Sequence, residues 1–562
     1  MKFKKAFFVN LILAVLSVFL ISFFSQKSFL KRIELLSLDS SFRIRGSVPT
    51  ASNIIIIEIT DDDIAAVGSW PWKRTWYAAA IHALQDLGVK YIYFDIVLSE
   101  DLLPEDDVLF EEVLKSSGNV YLPFVFNRYP FSISDALLPL KRFADYSKTA
   151  PVNIYPDLDG VLRQMPIFYN ADNQIYPSIP LMIFMDDKGL KIKQADNNCL
   201  VLTNSEKTVK IPVIQKDKIV INWIEKWENL FTHYDFIDLL AEYKEFKDSR
   251  KSGIDFNKFK NSICFITNTS IGLYDIKPVP IQPVYPGIGI VATTLDNLLS
   301  GRFFHYAPFW VNFLILCFMC FLPAYLNSGK KPLIETAGVI LVAGGYFLIH
   351  FLLLKNNILI TLAYPLCGLF LSYILINVFN FFSAVKKQRH LLKIAVTDEL
   401  TGIYNIRYFK VVLDEEFKLA KIDPSKRKFC VLMIDFDYFK KVNDTYGHSM
   451  GDFVLSQITQ VLKSCIRASD VISRYGGDEI VVLLRMCSLD KGMRIAEKLR
   501  YAVENYVFQK EQCIHKGTVS IGISTYKFKS DTMEEIIKRA DLGLYKAKES
   551  GRNRVCCVGK SK

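Results

Sequence analysis

Four acidic side chains carry the strongest chemical signal in this sequence. Asp435 and Asp437 end KFCVLMIDFDYF (428–439), an apolar run that reads as a strand. Asp478 and Glu479 follow Gly476 and Gly477 in RYGGDEIVVLL (474–484). Alone, the second stretch is a hairpin signal, because glycine takes the positive φ of a tight turn and acids beside it are ordinarily solvated. If the two stretches are neighbouring strands, their acids meet at one edge. Carboxylates there could share magnesium, a hard cation that prefers oxygen ligands and phosphate. The two glycines would let the backbone come close to a phosphate. The chemistry suggested is a site that holds metal and phosphate.

The elements that would position these acids read as a soluble α/β domain from Lys393 onward. DFVLSQITQVLKSCIR (452–467) carries Val454, Leu455, Ile458, Val461, Leu462, Cys465 and Ile466 as a helical stripe. The GGDE hairpin follows, then a helix over 489–506, a strand around 518–525 and a last helix over 533–549.

The rest of the chain has a different character. At 562 residues it is too long for one core, and 51% of it is hydrophobic, which suggests a membrane class. Ala6–Phe24, Ala307–Leu326, Ile334–Leu354 and Ile358–Phe382 are each long enough to cross a bilayer. The first has too long an apolar run for a signal peptide and no clear cleavage site, so an uncleaved anchor is expected. Basic clusters at Lys2, Lys4 and Lys5, at Lys330 and Lys331, and at Lys386, Lys387 and Arg389 all fall on one side if all four stretches cross. That side is the cytoplasm by the positive-inside rule. Residues 25–306 then lie outside, and everything after about 385 inside. The net charge of +11 is accounted for by these flanks, and no nucleic-acid partner is expected. His350, near the outer end of the third stretch, is expected to be interfacial. Of eleven cysteines, only Cys199 and Cys264 would meet an oxidising compartment; they could pair, or Cys264 could be a buried strand residue. Cys556 and Cys557 read as inert.

Residues 25–306 alternate strands and helices. NIIIIEIT (53–60) reads as a buried strand, YAAAIHALQDLG (77–88) as a helix closed by Gly88, and KYIYFDIVLS (90–99) as the next strand. This spacing argues for a parallel α/β core. Trp70 and Trp72 around Pro71 suggest packing, and at least one of Asp61 to Asp63 is expected to cap a helix. LDSSFRIRG (38–46), DDDIAAVGSWPWKRTWYA (61–78), YFDIVLSE (93–100), DLDGVLRQMP (157–166) and PGIGIVATTLDNLLSGRF (286–303), in this order, resemble the CHASE domain of the second type. That family is an extracytoplasmic sensor with one span before it and three after. The resemblance implies an outer ligand, which it does not name.

The C-terminal region is similar to the GGDEF family of diguanylate cyclases. TDELTGIYNIRYF (397–409), DFDYFKKVNDTYGHSMGD (435–452), RASDVISRYGGDEI (467–480), TVSIGIS (518–524) and ADLGLYKAKESGRNRV (540–555) carry the likeness in the family's order. It implies an α+β, ferredoxin-like (palm-type) catalytic domain. Asp435 and Asp478 would ligate two magnesium ions per site, manganese being an alternative, with the Phe436 carbonyl helping and Glu479 supporting metal or substrate. Asp478 and Glu479 would be catalytic. Asn443 and Asp452 would read guanine edges. Lys440, Lys548 and Arg552 would hold phosphates beside Gly476 and Gly477, Lys548 and Arg552 sharing a helical face. Arg467 and Asp470 match the family's inhibitory product site; the alternative is an Arg at a helix C-terminus meeting the dipole.

Two departures stand out. Ile480 replaces the motif's usual Phe at a core position where an aliphatic residue should be tolerated. Ile406 replaces the usual Arg after Asn405, which puts a secondary inhibitory contact there in doubt. The expected organisation is a span to residue 24, a sensor over 25–306, three spans over 307–385, a linker over 386–396 and a cyclase over 397–562. The linker could continue the fourth span as helix. The protein is expected to be a multi-pass inner-membrane enzyme that condenses two GTP into cyclic di-GMP as a homodimer. A silent receptor for cyclic di-GMP is the alternative, and a cyclase making a monomeric cyclic nucleotide is a further rival.

Overall fold

Ile54 to Ile57 are four successive isoleucines, all buried, and they seed the first sheet. In the computed structural model, residues 2–558 are described apart from 69, 250, 271, 273–274, 328–331, 424–426, 511–512 and 528–530; the side chains of residues 2–6 and 513 are likewise outside the description. The chain forms two units, Met1–Asn377 and Val378–Lys562.

In the first unit, strand Ile54–Ile59 lies between Thr232–Asp235 and Ile263–Asn268, and the sheet continues through Tyr91–Phe94 and Val120–Phe126 to Lys148–Pro151, all parallel. Successive side chains point to opposite faces. Ile54, Ile56, Tyr93 and Phe265 enter one core, while Ile55, Ile57, Ile92 and Ile266 enter the other. Burial on both faces is what a parallel sheet demands. The helix expected near 77–88 spans Arg74–Asp86. The strand expected over 90–99 is only Tyr91–Phe94; the chain leaves the ladder beyond Asp95, whose carboxylate is held by the hydroxyls of Tyr93 and Thr267.

Other expectations resolve locally. Helix Asp61–Val67 is capped by Thr60, not by an acid. The Thr60 hydroxyl accepts from Asp63 N, and the Asp63 carboxylate accepts from Thr60 N, the reciprocal pair of a capping box. Trp72 is buried against Trp70, Trp76 and Phe236, as packing requires. Cys199 and Cys264 are both free; Cys264 is a buried strand residue whose thiol is pushed up to about 12 by burial.

Among the described residues, four helices are long and apolar enough to cross a membrane: Phe7–Ser25, Phe309–Leu326, Pro332–Lys355 and Ala363–Val396. The fourth runs on through Lys386 and Arg389 without a break, so the linker is helical. Lys330 and Lys331 lie outside the described residues, as do the side chains of Lys2, Lys4 and Lys5. His350, expected near the membrane interface, is packed inside the protein. It is 2% exposed, with its Nε2 3.1 Å from Ser41 Oγ, because helix Ser28–Arg45 packs over it. The same helix supplies Glu34, whose carboxylate accepts from the N–H groups of Leu362, Ala363 and Tyr364. It thereby caps the start of Ala363–Val396, where the helix dipole favours an anion.

In the second unit, strand Cys430–Phe436 is central. It pairs antiparallel with Glu479–Leu484 and Val519–Thr525, and Glu479–Leu484 pairs with Val471–Gly476. With helices His448–Cys465 and Leu489–Glu504, this is the β-α-β-β-α-β order of a ferredoxin-like unit. These two helices share a core with Leu432, Ile434, Ile480 and Val482. Ile406–Ile422 and Met533–Glu549 cover the opposite face against Val431, Met433, Val481 and Leu483. Ile480 is 2% exposed, so the aliphatic residue sits in the core as expected.

Candidate active site

The antiparallel register puts Asp435 directly opposite Glu479. Gly477 makes the turn before it with φ of +53°, a conformation that favours glycine. A Cβ on either Gly476 or Gly477 would meet nothing within 4 Å, so both flank open space. Asp478 and Glu479 are half-buried at this mouth, and Asp435 is buried behind them.

The electrostatics follow from that placement. Burial pushes the Asp435 carboxyl up to about 6, with Asp478 and Glu479 adding to the rise and Lys548 opposing it. Glu479 is also raised, first by burial, then by Asp541 and Asp478. The Lys548 ammonium lies 2.8 Å from Asp435 Oδ1. Among the described residues, no three acidic, His or Cys side chains converge closely enough to hold a metal. The donors nevertheless fit a hard divalent cation: they are all oxygen, their charges crowd one another, and a Lys ammonium stands where a cation would balance them.

Asp437 has a different task from Asp435. Its carboxylate accepts from Thr518 Oγ1 and Ser520 Oγ, both at 2.7 Å, and from Asn553 N at 3.1 Å. It ties the end of the central strand to its neighbour and to the C-terminal loop. Phe436, the last residue of the strand, packs its ring on Phe439 and Phe508.

Asn443 and Asp452 come from the two helices after the central strand. A Cβ on Gly451 would clash with Asn443 Oδ1, so the missing side chain at 451 lets the amide pack on the backbone one residue before Asp452. Lys440 is exposed in the first turn of Phe439–Tyr446. Lys548 and Arg552 do not share a helical face. The helix ends at Glu549, and Gly551, Arg552 and Asn553 all have positive φ. Arg552 instead lies over the Tyr438 ring, 4.5 Å from its centre.

Arg467 is beyond its helix, which stops at Cys465 with Ile466 as cap. Asp470 accepts from the N–H groups of Arg467 and Arg485 at 3.0 and 3.1 Å. That leaves the Arg467 side chain exposed above a rigid turn. Sequence reasoning missed one brace: Arg474 donates to Gly477 O at 2.8 Å and reaches Asp398 at 3.1 Å, clamping the turn to the start of the domain. Both residues stood inside the quoted motifs, but nothing in their spacing pairs them.

A family model described as the CHASE2 domain matches residues 12–325, and one described as diguanylate cyclase, GGDEF domain, matches residues 395–554. Diguanylate cyclase A of Treponema denticola is 39% identical over 166 residues, 29% of this chain and 45% of that protein. Response regulator PleD of Caulobacter vibrioides is 44% identical over 176 residues, 31% of this chain and 37% of that protein. The chain thus spans less than half the length of these two relatives. The uncharacterised protein YhcK of Bacillus subtilis is 30% identical over 351 residues, 58% of this chain and 94% of its own length. The solved coiled coil and GGDEF domain of DgcB from Caulobacter crescentus, in complex with c-di-GMP, is 26% identical with a TM-score of 0.30, covering 33% of this chain and 98% of that one. The chain belongs to the CHASE2 family, whose model spans more than half of it, and carries a diguanylate cyclase-type GGDEF domain behind the CHASE2 domain.

Proposed function

We propose that the protein is a membrane-bound diguanylate cyclase whose output is set by a signal outside the inner membrane. Two domains of a homodimer each hold one GTP. The 3′-hydroxyl of each GTP attacks the α-phosphate of the other. Two phosphodiester bonds form, two α–β anhydride bonds break, and two pyrophosphates leave with two protons released. The observation that carries this reading is the register of Asp435 against Glu479, with Asp478 beside them at an open glycine turn.

Asp435, Asp478 and Glu479, with the Phe436 carbonyl, would hold two magnesium ions. When bound, such ions neutralise phosphate charge and favour the deprotonated hydroxyl. The protein's own groups do the rest. Asn443 and Asp452 suit guanine, since an amide donates to O6 and a carboxylate accepts from N1 and N2. Lys440 stands at a helix N-terminus, where phosphate is favoured. Lys548, relieved of Asp435 in the loaded site, reaches phosphate oxygens, and Arg552 adds a second cation. Intact carboxylates favour catalysis over a silent receptor. Incubating the purified chain with GTP and magnesium and identifying the product tests the reading.

Residues 25–306 are read as outside and the cyclase, over 397–562, as inside. Glu34 supports control from outside, because it joins a helix of the sensor region to the helix that runs on toward the cyclase.

Feedback by product is the next expectation. Arg467 is free to grip a phosphate or guanine bidentately, away from the metal acids. Arg467→Ala should weaken product binding by roughly one to two orders of magnitude, the loss of a contact worth about 1.5–3 kcal/mol. Initial rates with added cyclic di-GMP check it. Equal inhibition of both proteins would reduce Arg467 to a surface charge.

A further inference from the structure

A cavity of about 360 Å³ opens in the outer unit, within the size range of small-molecule sites. Topology explains its place. Ile263–Asn268, Tyr91–Phe94 and Val120–Phe126 are parallel neighbours, so their carboxyl ends open together, where open α/β sheets take ligands.

Its polar groups are of two kinds. Asn268 ends its strand and is 9% exposed. Its Oδ1 accepts from Ser270 N at 2.9 Å and Ser270 Oγ at 2.6 Å, which fixes the orientation of the amide. Its Nδ2 has no partner among the described residues, an expensive omission for a buried donor. Helix Gly287–Ser300 also begins at the cavity. Its cap is Pro286, which offers no side-chain acceptor; the Gly287 N–H is taken by Asp275 O at 2.8 Å, and the N–H groups that follow it in the first turn, with the positive end of the dipole, remain for a ligand.

The second kind is acidic. Asp95 accepts from Tyr93 Oη at 2.8 Å and Thr267 Oγ1 at 3.2 Å. No ammonium or guanidinium is recorded against it among the described residues. Burial raises its carboxyl, and Asp275 adds to the rise. Asp275 stands beside the helix start: a Cβ on Gly287 would lie 3.4 Å from its Oδ2. Its Oδ1 pairs with Lys277 at 2.7 Å. Val125, Val152 and Val291 give the cavity an apolar wall.

An anion alone would meet two carboxylates here. A cation alone would leave the Asn268 amide and the helix turn unmet. We propose that the cavity binds a small zwitterion, an α-amino acid with a short aliphatic side chain. Its ammonium lies between Asp95 and Asp275. Its carboxylate takes Asn268 Nδ2 and the first turn of Gly287–Ser300, and its side chain rests on the three valines. The inference rests on reading this region as a ligand sensor. Binding is measured without GTP, so a failed cyclase assay leaves it standing.

The test is calorimetric titration of the full chain in detergent with L-alanine, L-valine, L-leucine and L-isoleucine. Two leucine analogues accompany them: 3-methylbutylamine, which lacks the carboxylate, and 4-methylpentanoate, which lacks the amine. At least one amino acid should bind saturably, with both leucine analogues at least about 10-fold weaker than leucine. Asp95→Asn should weaken binding by about 10- to 100-fold. Asp275→Asn should also weaken binding, and at a side chain 61% exposed it decides the matter if the first variant does not fold. Absence of saturable binding by all four amino acids overturns the proposal. So do analogues that bind as tightly as leucine, or folded variants that bind like the wild type.

Discussion

Glu479→Ala or Asp478→Ala should reduce cyclic di-GMP synthesis by about 100-fold or more, the loss typical when one preorganised charge-stabilising group is removed from a reacting centre. The reason is positional. Asp435 alone is buried and raised to about 6, poorly suited to hold a cation without company. Opposite it, Glu479 supplies a second carboxylate, and Asp478 a third. Both sit at the mouth of a turn, half-buried, so alanine there should cost little packing. Product formation is read beside thermal unfolding of the same samples. Activity retained in folded variants would remove these acids from the site.

The second large effect concerns the first unit. Arg163 is 1% exposed and binds three carboxylates. Its Nε and Nη2 reach the two oxygens of Asp39 at 2.6 and 2.7 Å, and it also holds Asp157 at 3.0 Å and Asp159 at 2.7 Å. Asp39 is itself buried, on helix Ser28–Arg45. Arg163→Met keeps bulk and removes charge. Breaking a buried pair by removing one partner costs about 3–5 kcal/mol, because the other charge is left uncompensated. For a domain of this size that corresponds to roughly 10 °C in Tm. Adding Asp39→Asn should recover part of the loss, the mark of a coupled pair. An unchanged Tm in Arg163→Met would show that the carboxylates find other partners.

What the sequence made legible was periodic or contiguous. The buried isoleucines, the apolar spans and the alternating strands around GGDE repeat at spacings the backbone enforces, so the sheet order near Asp435 followed from pattern and turn chemistry. The unbroken helix into residues 386–396 was legible for the same reason. What escaped depended on distance or on backbone sign. Arg163 meets Asp39 across 124 positions, and no local spacing encodes that meeting. Arg552 looked helical at four residues from Lys548, yet Gly551 and two further positive-φ residues turn it onto Tyr438. Thr60 was legible, since threonine followed three residues later by Asp63 is a capping-box pattern, but the three acids drew the reading away from it. Asp437 looked equivalent to Asp435; Thr518 and Ser520, alternating on the next strand, claim it for structure.

The most direct measurement is the identity and stoichiometry of what the purified full chain makes from GTP and magnesium, by mass spectrometry and pyrophosphate assay. The account predicts cyclic di-GMP, with two GTP consumed and two pyrophosphates released for each molecule formed. A monomeric cyclic nucleotide, or GTP left intact by protein that still binds cyclic di-GMP, would contradict it.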